Sequence, residues 1–140
     1  MTYHIAIDIG ASSGRVILAK KEDKRLDLQE IYRFKNGFSK IDAYDRWDMD
    51  WLVENVLTGL EKVKKYGVET CTVGIDTWAV DYCLLDYSGN LLAQPIAYRD
   101  KRTQGAMEKI FQQLSQEDIY KKTGIQFLQF NTLYQLSVED

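Results

Sequence analysis

The sequence is poor in the residue types on which several protein classes depend. Its two cysteines, Cys71 and Cys83, lie in apolar, strand-like runs without paired spacing, so we expect reduced, buried thiols and no disulfide framework. Its single histidine, His4, leaves a zinc site with hardly any ligands. No apolar run approaches the roughly 18 residues of a membrane-spanning helix, and the start lacks the layout of a signal peptide. We therefore expect a cytoplasmic protein.

An excess of charge of one sign is also missing. The 140 residues carry 18 Lys and Arg against 21 Asp and Glu, a net charge of −3, with no basic block and no acidic tail. This balance disfavours a nucleic-acid or anionic-membrane partner but allows a local anion site. The apolar and charged fractions, 45% and 28%, are those of a globular protein. Because the sequence stops inside an amphipathic segment, we expect a domain trimmed from a longer protein.

The first half of the chain predicts a meander, a helix and one more strand. Three short apolar runs separated by turns indicate consecutive antiparallel strands, at residues 3–10, 14–21 and 25–34. In the third, Leu26, Leu28 and Tyr32 alternate on one predicted face. Asp48 is a predicted helix N-cap and Gly67 a predicted C-cap. Between them, apolar residues recur at helical spacing: Leu52, Val56, Leu60 and Val63, flanked by Val53 and Leu57.

Residues 69–77 are apolar and β-branched and predict a fourth strand, parallel to its neighbour because a helical crossover precedes it. The second half predicts a hairpin, an extended stretch and helices: residues 81–94, residues 96–100, about Thr103 to Leu114, from Ser115, and from near Asn131. A three-stranded meander, a crossover helix and a parallel strand open the ribonuclease H-like α/β fold of actin, hexokinase and Hsp70-type ATPases. A Rossmann or flavodoxin order would place a helix after the first strand.

The first bend of the chain collects residue types that suit phosphate. Gly10 and Gly14 lack side chains, so backbone N–H groups there can curl around an anion. Ser12 and Ser13 add two short hydroxyl donors. Arg15 adds a delocalised charge whose planar fork matches phosphate oxygens.

Asp8, directly before this bend, would repel a bare phosphate, so its presence favours a cation between the two. Mg²⁺ prefers oxygen ligands and keeps several waters, so one nearby carboxylate is a sensible partner. The bend is not a Walker loop, because it lacks the Gly-x-x-x-x-Gly-Lys-Ser/Thr pattern and opens a hairpin. A solvated hairpin turn with an ordinary Asp and Arg is the alternative interpretation.

Longer stretches of the sequence resemble the FGGY family of carbohydrate kinases. They follow one another in that family's order: AIDIGASSGRVIL, RFKNGF, RWDMD, VGIDTWAVDYCLLD, AYRDKRT and IYKKTGIQFLQFNTLYQL. The resemblance implies a two-lobed kinase of actin-type fold, of which residues 1–140 would be the front part of the first lobe. It also implies ATP and Mg²⁺ as cofactors. The Ala-Ser-Ser-Gly-Arg form of the loop resembles the members that phosphorylate the 1-hydroxyl of L-rhamnulose.

The resemblance also implies roles for particular residues. It places the ATP phosphates on the loop: Ala11, Ser12, Ser13, Gly14 and Arg15. It places Asp8 near the metal ion, through water. The family's sugar-contacting glycine falls on Ala79, which adds a methyl group at the sugar. The aspartate that deprotonates the sugar hydroxyl, the adenine pocket and the second lobe are expected beyond Asp140, so we expect these 140 residues alone to be inactive.

Four further residues are candidates for the sugar cleft: Asp76, Trp78, Asp100 and Arg102. Asp76 ends the fourth strand, where actin-like folds place a polar group toward the cleft; capping of a turn is the alternative. Trp78 stacks on the sugar or packs in the core. Asp100 and Arg102 resemble the family's Asp-x-Arg at the cleft, with a surface ion pair as the alternative.

Two other functions fit the same residues. One is another FGGY ketose or polyol kinase, and the other is a non-catalytic actin-fold module that binds a sugar or a nucleotide. The sequence has no DNA-binding helix-turn-helix and no basic patch, which disfavours a binding module that acts as a DNA-binding, sugar-sensing regulator. Nucleotide binding without sugar-dependent turnover would favour the binding module. We expect a sugar and ATP as partners, no nucleic acid or membrane, and a monomer or small homo-oligomer.

Overall fold

The computed structural model describes residues 2–139, which form two compact units. The first unit ends at Phe38, resumes at Asp48 and ends at Ala79; the second comprises Ser39–Trp47 and the chain from Val80 onward. The strands are β1 (Thr2–Ile9), β2 (Ser13–Glu22), β3 (Arg25–Lys35), β4 (Phe38–Ile41), β5 (Tyr44–Trp47) and β6 (Thr72–Thr77). The helices are α1 (Met49–Lys64), α2 (Ala106–Phe111), α3 (Gln116–Thr123) and α4 (Thr132–Leu136), with a 3₁₀ turn at Lys101–Thr103.

The first unit is built on a four-stranded sheet in the order β3-β2-β1-β6. β2 runs antiparallel to both β1 and β3, and β6 runs parallel to β1. A parallel pair needs a crossover connection, and α1 supplies it between β5 and β6. The predicted meander, crossover helix and parallel strand are therefore confirmed.

One face of this sheet forms the core of the first unit against α1. The buried cluster consists of Ile5, Ile7, Val16, Leu18 and Val63. The predicted N-cap of α1 is confirmed, because the carboxylate of Asp48 accepts a hydrogen bond from the N–H of Trp51 at 2.9 Å. The C-cap prediction was wrong by two residues: Lys65 caps the helix, and Gly67 lies in the following turn with φ +69°.

The predicted face of β3 was wrong. A bulge shifts the register so that Tyr32 lies opposite Val16 whereas Leu28 lies opposite Ala19, which puts the two side chains on different faces. Tyr32 packs against the core, and Leu28 is 65% exposed. In α1, Val53 and Leu57, which flank the apolar residues at helical spacing, are exposed as well.

The second unit departs further from the sequence prediction. The β4–β5 hairpin was not predicted, and residues 81–94 contain a turn with one isolated bridge, Leu85 to Leu91, instead of two strands. The helix predicted from Thr103 to Leu114 is broken, because Gly105 adopts φ +77° between the 3₁₀ turn and α2.

Two helix starts in the second unit agree with the prediction. α3 begins after Ser115, whose hydroxyl accepts from the N–H of Asp118 at 3.1 Å, and α4 begins after Asn131.

Both cysteines are free thiols, but Cys83 is exposed and Cys71 half-buried, so the expectation of buried thiols was wrong. No helix in residues 2–139 has the length and apolar character needed to cross a bilayer.

Candidate functional site

The phosphate loop predicted from the sequence is the tight connection between β1 and β2. The N–H of Gly10 donates to the carbonyl of Ser13 at 2.9 Å, which closes the hairpin. A Cβ on Gly10 would lie 3.3 Å from that same carbonyl oxygen, so the close approach favours glycine. Ser12 is exposed, and Ala11 and Ser13 are half-buried. The loop therefore offers its hydroxyl and backbone donors on an accessible bend.

Gly14 is required for a reason that the sequence did not indicate. It is buried in β2, opposite Phe34 of β3, and the Phe34 ring occupies the place of its missing side chain. A Cβ built on Gly14 would lie 2.1 Å from the ring. Packing alone thus demands glycine at this position, whatever the loop binds.

Asp8 and Arg15 are cross-strand neighbours that pair with each other. The guanidinium of Arg15 donates to Asp8 Oδ2 from Nε at 2.8 Å and from Nη2 at 2.6 Å. Both side chains are 42% exposed. An ion pair this accessible to water contributes little free energy, so Arg15 can exchange the carboxylate for another anion at small cost.

The same register extends the pair into a row of four charges across the sheet. Arg33 on β3 lies opposite Arg15, and Asp76 on β6 lies opposite Asp8. Cross-strand neighbours present their side chains on one face, so two guanidinium groups adjoin two carboxylates there. A hydrogen bond from Arg33 to Glu30 raises the pKa of Arg33 above its ordinary value. The row thus has a basic half and an acidic half.

The acidic half of this row fits Mg²⁺ in its donor chemistry. Asp8 and Asp76 supply carboxylate oxygens, the ligand type that this hard cation prefers. Within residues 2–139, no group of three or more His, Cys, Asp and Glu side chains is arranged to hold a metal ion. A magnesium ion bound here would therefore keep most of its water ligands. The sequence did not link Asp76 with Asp8, because their proximity arises from strand pairing.

The sugar-site candidates of the first unit lie at the end of β6 and directly after it. Asp76 and Ala79 are exposed and Trp78 is half-buried. An exposed Ala79 leaves its backbone and methyl group accessible to a ligand. The intermediate burial of Trp78 fits neither a fully packed core side chain nor a fully open stacking surface.

Val80, the first residue of the second unit, has a strained backbone. Its φ is 76°, a left-handed conformation that β-branched residues rarely adopt. The Val80 carbonyl accepts hydrogen bonds from Thr132 Oγ1 at 2.7 Å and from Gln135 Nε2 at 3.2 Å. These two polar residues of α4 hold the strained conformation. Neither residue was predicted from the sequence, although a glutamine on the inner face of a short helix indicates an internal hydrogen bond.

Asp100 is held in contacts within the second unit. Its side chain is buried and accepts from the backbone N–H groups of Asp45 and Arg102, both at 2.7 Å. It thereby caps the 3₁₀ turn that carries Arg102. The pairing with Arg102 uses the backbone of that residue, so a surface ion pair does not describe it.

The guanidinium of Arg102 lies in a buried polar cluster. Its side chain is 8% exposed and donates to Glu139 at 2.7 Å, to the Tyr82 hydroxyl at 3.1 Å and to Gln135 Oε1 at 3.3 Å. Tyr82 also donates to Glu139. Burial acts to raise the pKa of Glu139, but the hydrogen bonds from Tyr82 and Arg102 outweigh it and lower the pKa below its ordinary value.

Comparison with known proteins relates this site to a family. Residues 3–137 match the N-terminal domain of the FGGY family of carbohydrate kinases. A rhamnulokinase of Ligilactobacillus salivarius is 54% identical over 100% of this chain, and one of Bacillus subtilis is 55% identical over 98%. The chain spans only 29% and 28% of the lengths of these two relatives.

Solved structures of a xylulose kinase and a glycerol kinase share the fold. A ligand-bound xylulose kinase of Lactobacillus acidophilus aligns with a TM-score of 0.75 at 16% identity, covering 97% of this chain and 28% of that one. A glycerol kinase of Plasmodium falciparum with ADP aligns with a TM-score of 0.74 at 18% identity and the same two shares. The expected actin-type fold with an incomplete first lobe is confirmed.

Proposed function

Because this chain belongs to the FGGY family of carbohydrate kinases, we propose that it is the front part of the first lobe of an ATP-dependent kinase for L-rhamnulose. Relatives named rhamnulokinase, more than half identical over nearly the whole chain, support that substrate. The chain spans less than a third of their length. Phosphoryl transfer depends on positioning and on exclusion of water, so residues 1–140 alone are expected to be inactive.

The observation that carries the proposal is the charged row beside the β1–β2 loop. The donors of the loop, from Ala11 to Arg15, bind the phosphates of ATP, and Arg15 leaves Asp8 to contact a phosphate oxygen. ATP with Mg²⁺ supplies the phosphoryl group when bound. Asp8 holds the metal ion through water, and Asp76 beside it adds a second negative charge.

Five residues are proposed as sugar-site residues, and each is described within its own unit. In the first, Ala79 touches the sugar through its backbone, with Trp78 and Asp76 as neighbours in sequence. In the second, Asp100 and Arg102 are cleft residues in a supporting role, because their polar atoms are engaged in internal contacts. Since the reaction consumes ATP, we place the protein in the cytoplasm, as a monomer or small homo-oligomer.

An ATP-consumption assay of the full-length protein against a panel of ketoses tests this function. We expect L-rhamnulose to give the highest kcat/KM, with a requirement for Mg²⁺. A preference for another ketose would leave a kinase with a different substrate. Nucleotide binding without turnover on any sugar would instead identify a binding module.

Replacing Arg15 by alanine in the full-length protein is expected to weaken ATP use. The loss of a charge-assisted contact costs about 1.5–3 kcal/mol, roughly 10- to 150-fold in kcat/KM for ATP. The KM for the sugar should stay unchanged. Arg25→Ala is the matched control, because Arg25 pairs with Asp27 at 2.8 Å on the exposed part of the same sheet. Unchanged ATP parameters in Arg15→Ala would refute the phosphate role.

Replacing Ala79 by glycine is expected to alter the relative use of ketoses. The methyl group occupies space that the family's usual glycine leaves free, and one such group in a pocket changes discrimination by about 1–3 kcal/mol. The KM for ATP should not change. Thermal melting measured beside the kinetics separates a backbone effect, which costs roughly 0.5–1 kcal/mol. Fixed ketose preferences with a lowered melting temperature would make Ala79 a structural residue only.

A further inference from the structure

Asn36, directly after β3, holds two carbonyl groups of the phosphate loop. Its side-chain amide donates from Nδ2 to the carbonyl of Gly10 at 2.8 Å. Its backbone N–H donates to the carbonyl of Ser12 at 3.0 Å. One residue therefore engages the carbonyls of both residues that flank Ala11. Asn36 lies in the RFKNGF stretch of the sequence, but no role was assigned to it there.

The direction of these two carbonyls sets the direction of the loop's N–H groups. In a planar trans peptide the C=O and the N–H point in opposite directions, and residues 2–139 contain no cis peptide. The Gly10 carbonyl shares its peptide with the N–H of Ala11, and the Ser12 carbonyl shares its peptide with the N–H of Ser13. Since Asn36 holds both carbonyls, both N–H groups point away from Asn36. The N–H groups of Ala11 and Ser13 are thereby turned away from β3 together, as two of the backbone donors of an anion-binding concavity would be.

Neighbouring hydrogen bonds fix Asn36 itself. The N–H of Gly37 donates to Asn36 Oδ1 at 2.9 Å, which leaves Nδ2 to face Gly10. The indole N–H of Trp51 donates to the carbonyl of Lys35 at 3.0 Å, so α1 holds the end of β3. An aspartate at position 36 would place a carboxylate oxygen against the Gly10 carbonyl and repel it.

We propose that Asn36 is a positioning residue for nucleotide binding. It orients the N–H groups of Ala11 and Ser13 toward the phosphates and does not touch the nucleotide itself. This inference rests on the proposed function, since it takes the β1–β2 loop as the phosphate site. It adds to that function a residue that acts on nucleotide affinity through the loop backbone.

Three variants of the full-length protein test the role: Asn36→Ala, Asn36→Asp and Trp51→Phe. The probe is Mg·ADP affinity by calorimetry without sugar, measured beside both KM values and the melting temperature. We expect about five- to tenfold weaker Mg·ADP binding for Asn36→Ala, the loss of one hydrogen bond, and a larger loss for Asn36→Asp. Trp51→Phe keeps the ring, loses the N–H and should weaken binding about twofold. The sugar KM should not change.

Gln29→Ala is the matched control, because Gln29 lies in β3, which precedes Asn36, and its side-chain amide donates to the Tyr66 hydroxyl at 3.3 Å, outside the loop. It should bind Mg·ADP like the parent protein. Unchanged Mg·ADP affinity in Asn36→Ala overturns the inference, and so does an equal loss for sugar and nucleotide with a lower melting temperature. If Asn36→Ala does not fold, unchanged affinity in Trp51→Phe overturns it.

The binding assay separates this inference from the proposed function. A parent protein that binds Mg·ADP without ketose turnover refutes the kinase, and weaker binding by Asn36→Ala then still supports the positioning role. A parent protein that phosphorylates L-rhamnulose, with parental nucleotide affinity in Asn36→Ala, refutes the positioning role alone. A parent protein that binds no nucleotide overturns both.

Discussion

Replacing Asp8 by asparagine in the full-length protein is expected to lower the turnover number of the proposed kinase reaction by about 10²–10³-fold, the usual cost of removing one electrostatic stabiliser of a transition state. The amide keeps the shape of the side chain and removes the charge that we propose faces the metal ion. It also weakens the contact with Arg15, now 2.6 Å at its shortest. The Mg²⁺ concentration for half-maximal activity should rise, because one carboxylate fewer then attracts the cation. Steady-state kinetics over a Mg²⁺ titration measures both effects.

Asp27→Asn is the control for this experiment. Asp27 lies in the same sheet and forms the same kind of exposed pair, with Arg25 at 2.8 Å, but outside the charged row. Its substitution should leave turnover and the Mg²⁺ requirement unchanged. Parental activity with parental Mg²⁺ dependence in Asp8→Asn would reduce Asp8 to a turn residue that pairs with Arg15.

Replacing Arg102 by methionine should destabilise the full-length protein by about 3 kcal/mol, the lower end of the range for breaking a buried pair. Methionine fills much of the volume but leaves Glu139 and Tyr82 without their cationic partner. The lower end applies because the Glu139 side chain is still 26% exposed. Denaturant unfolding of the two proteins gives the difference.

Arg99→Met is the matched control, since Arg99 is exposed and donates to its sequence neighbour Tyr98 at 3.1 Å. It should change stability by less than about 0.5 kcal/mol. If Arg102→Met unfolds at the same denaturant concentration as the parent but loses sugar affinity, Arg102 is a direct ligand and not a supporting residue.

The same cluster predicts a pH dependence. The pKa of Glu139 is lowered in the folded protein, so the unfolded state binds the proton more readily. The stabilisation is therefore complete above the ordinary carboxyl pKa of about 4.3 and is lost as the pH falls through the lower folded value. Arg102→Met should flatten this acid-side loss. An equal loss of stability below pH 4 in both proteins would contradict the assignment.

The fold of the first unit could be predicted because its signals are local. The apolar runs of β1 and β2, the helical spacing after Asp48 and the β-branched run of β6 each lie within a few consecutive residues. The fold of the second unit was predicted less accurately than that of the first. The break in its predicted helix depends on the positive φ of Gly105. The β4–β5 hairpin was missed because the sequence patterns on either side of it, those of β3 and α1, are stronger than its own.

The sequence by itself determined the residue types of the candidate site, because the loop with Asp8 and Arg15 is contiguous in the chain. Only the tertiary structure decided which groups meet. Strand register brought Asp76 beside Asp8, and the Phe34 ring explained why position 14 must be glycine. The end of β3 brought Asn36 onto the loop from 26 residues away. Pairings between distant segments follow from sheet register and packing, which no local pattern encodes.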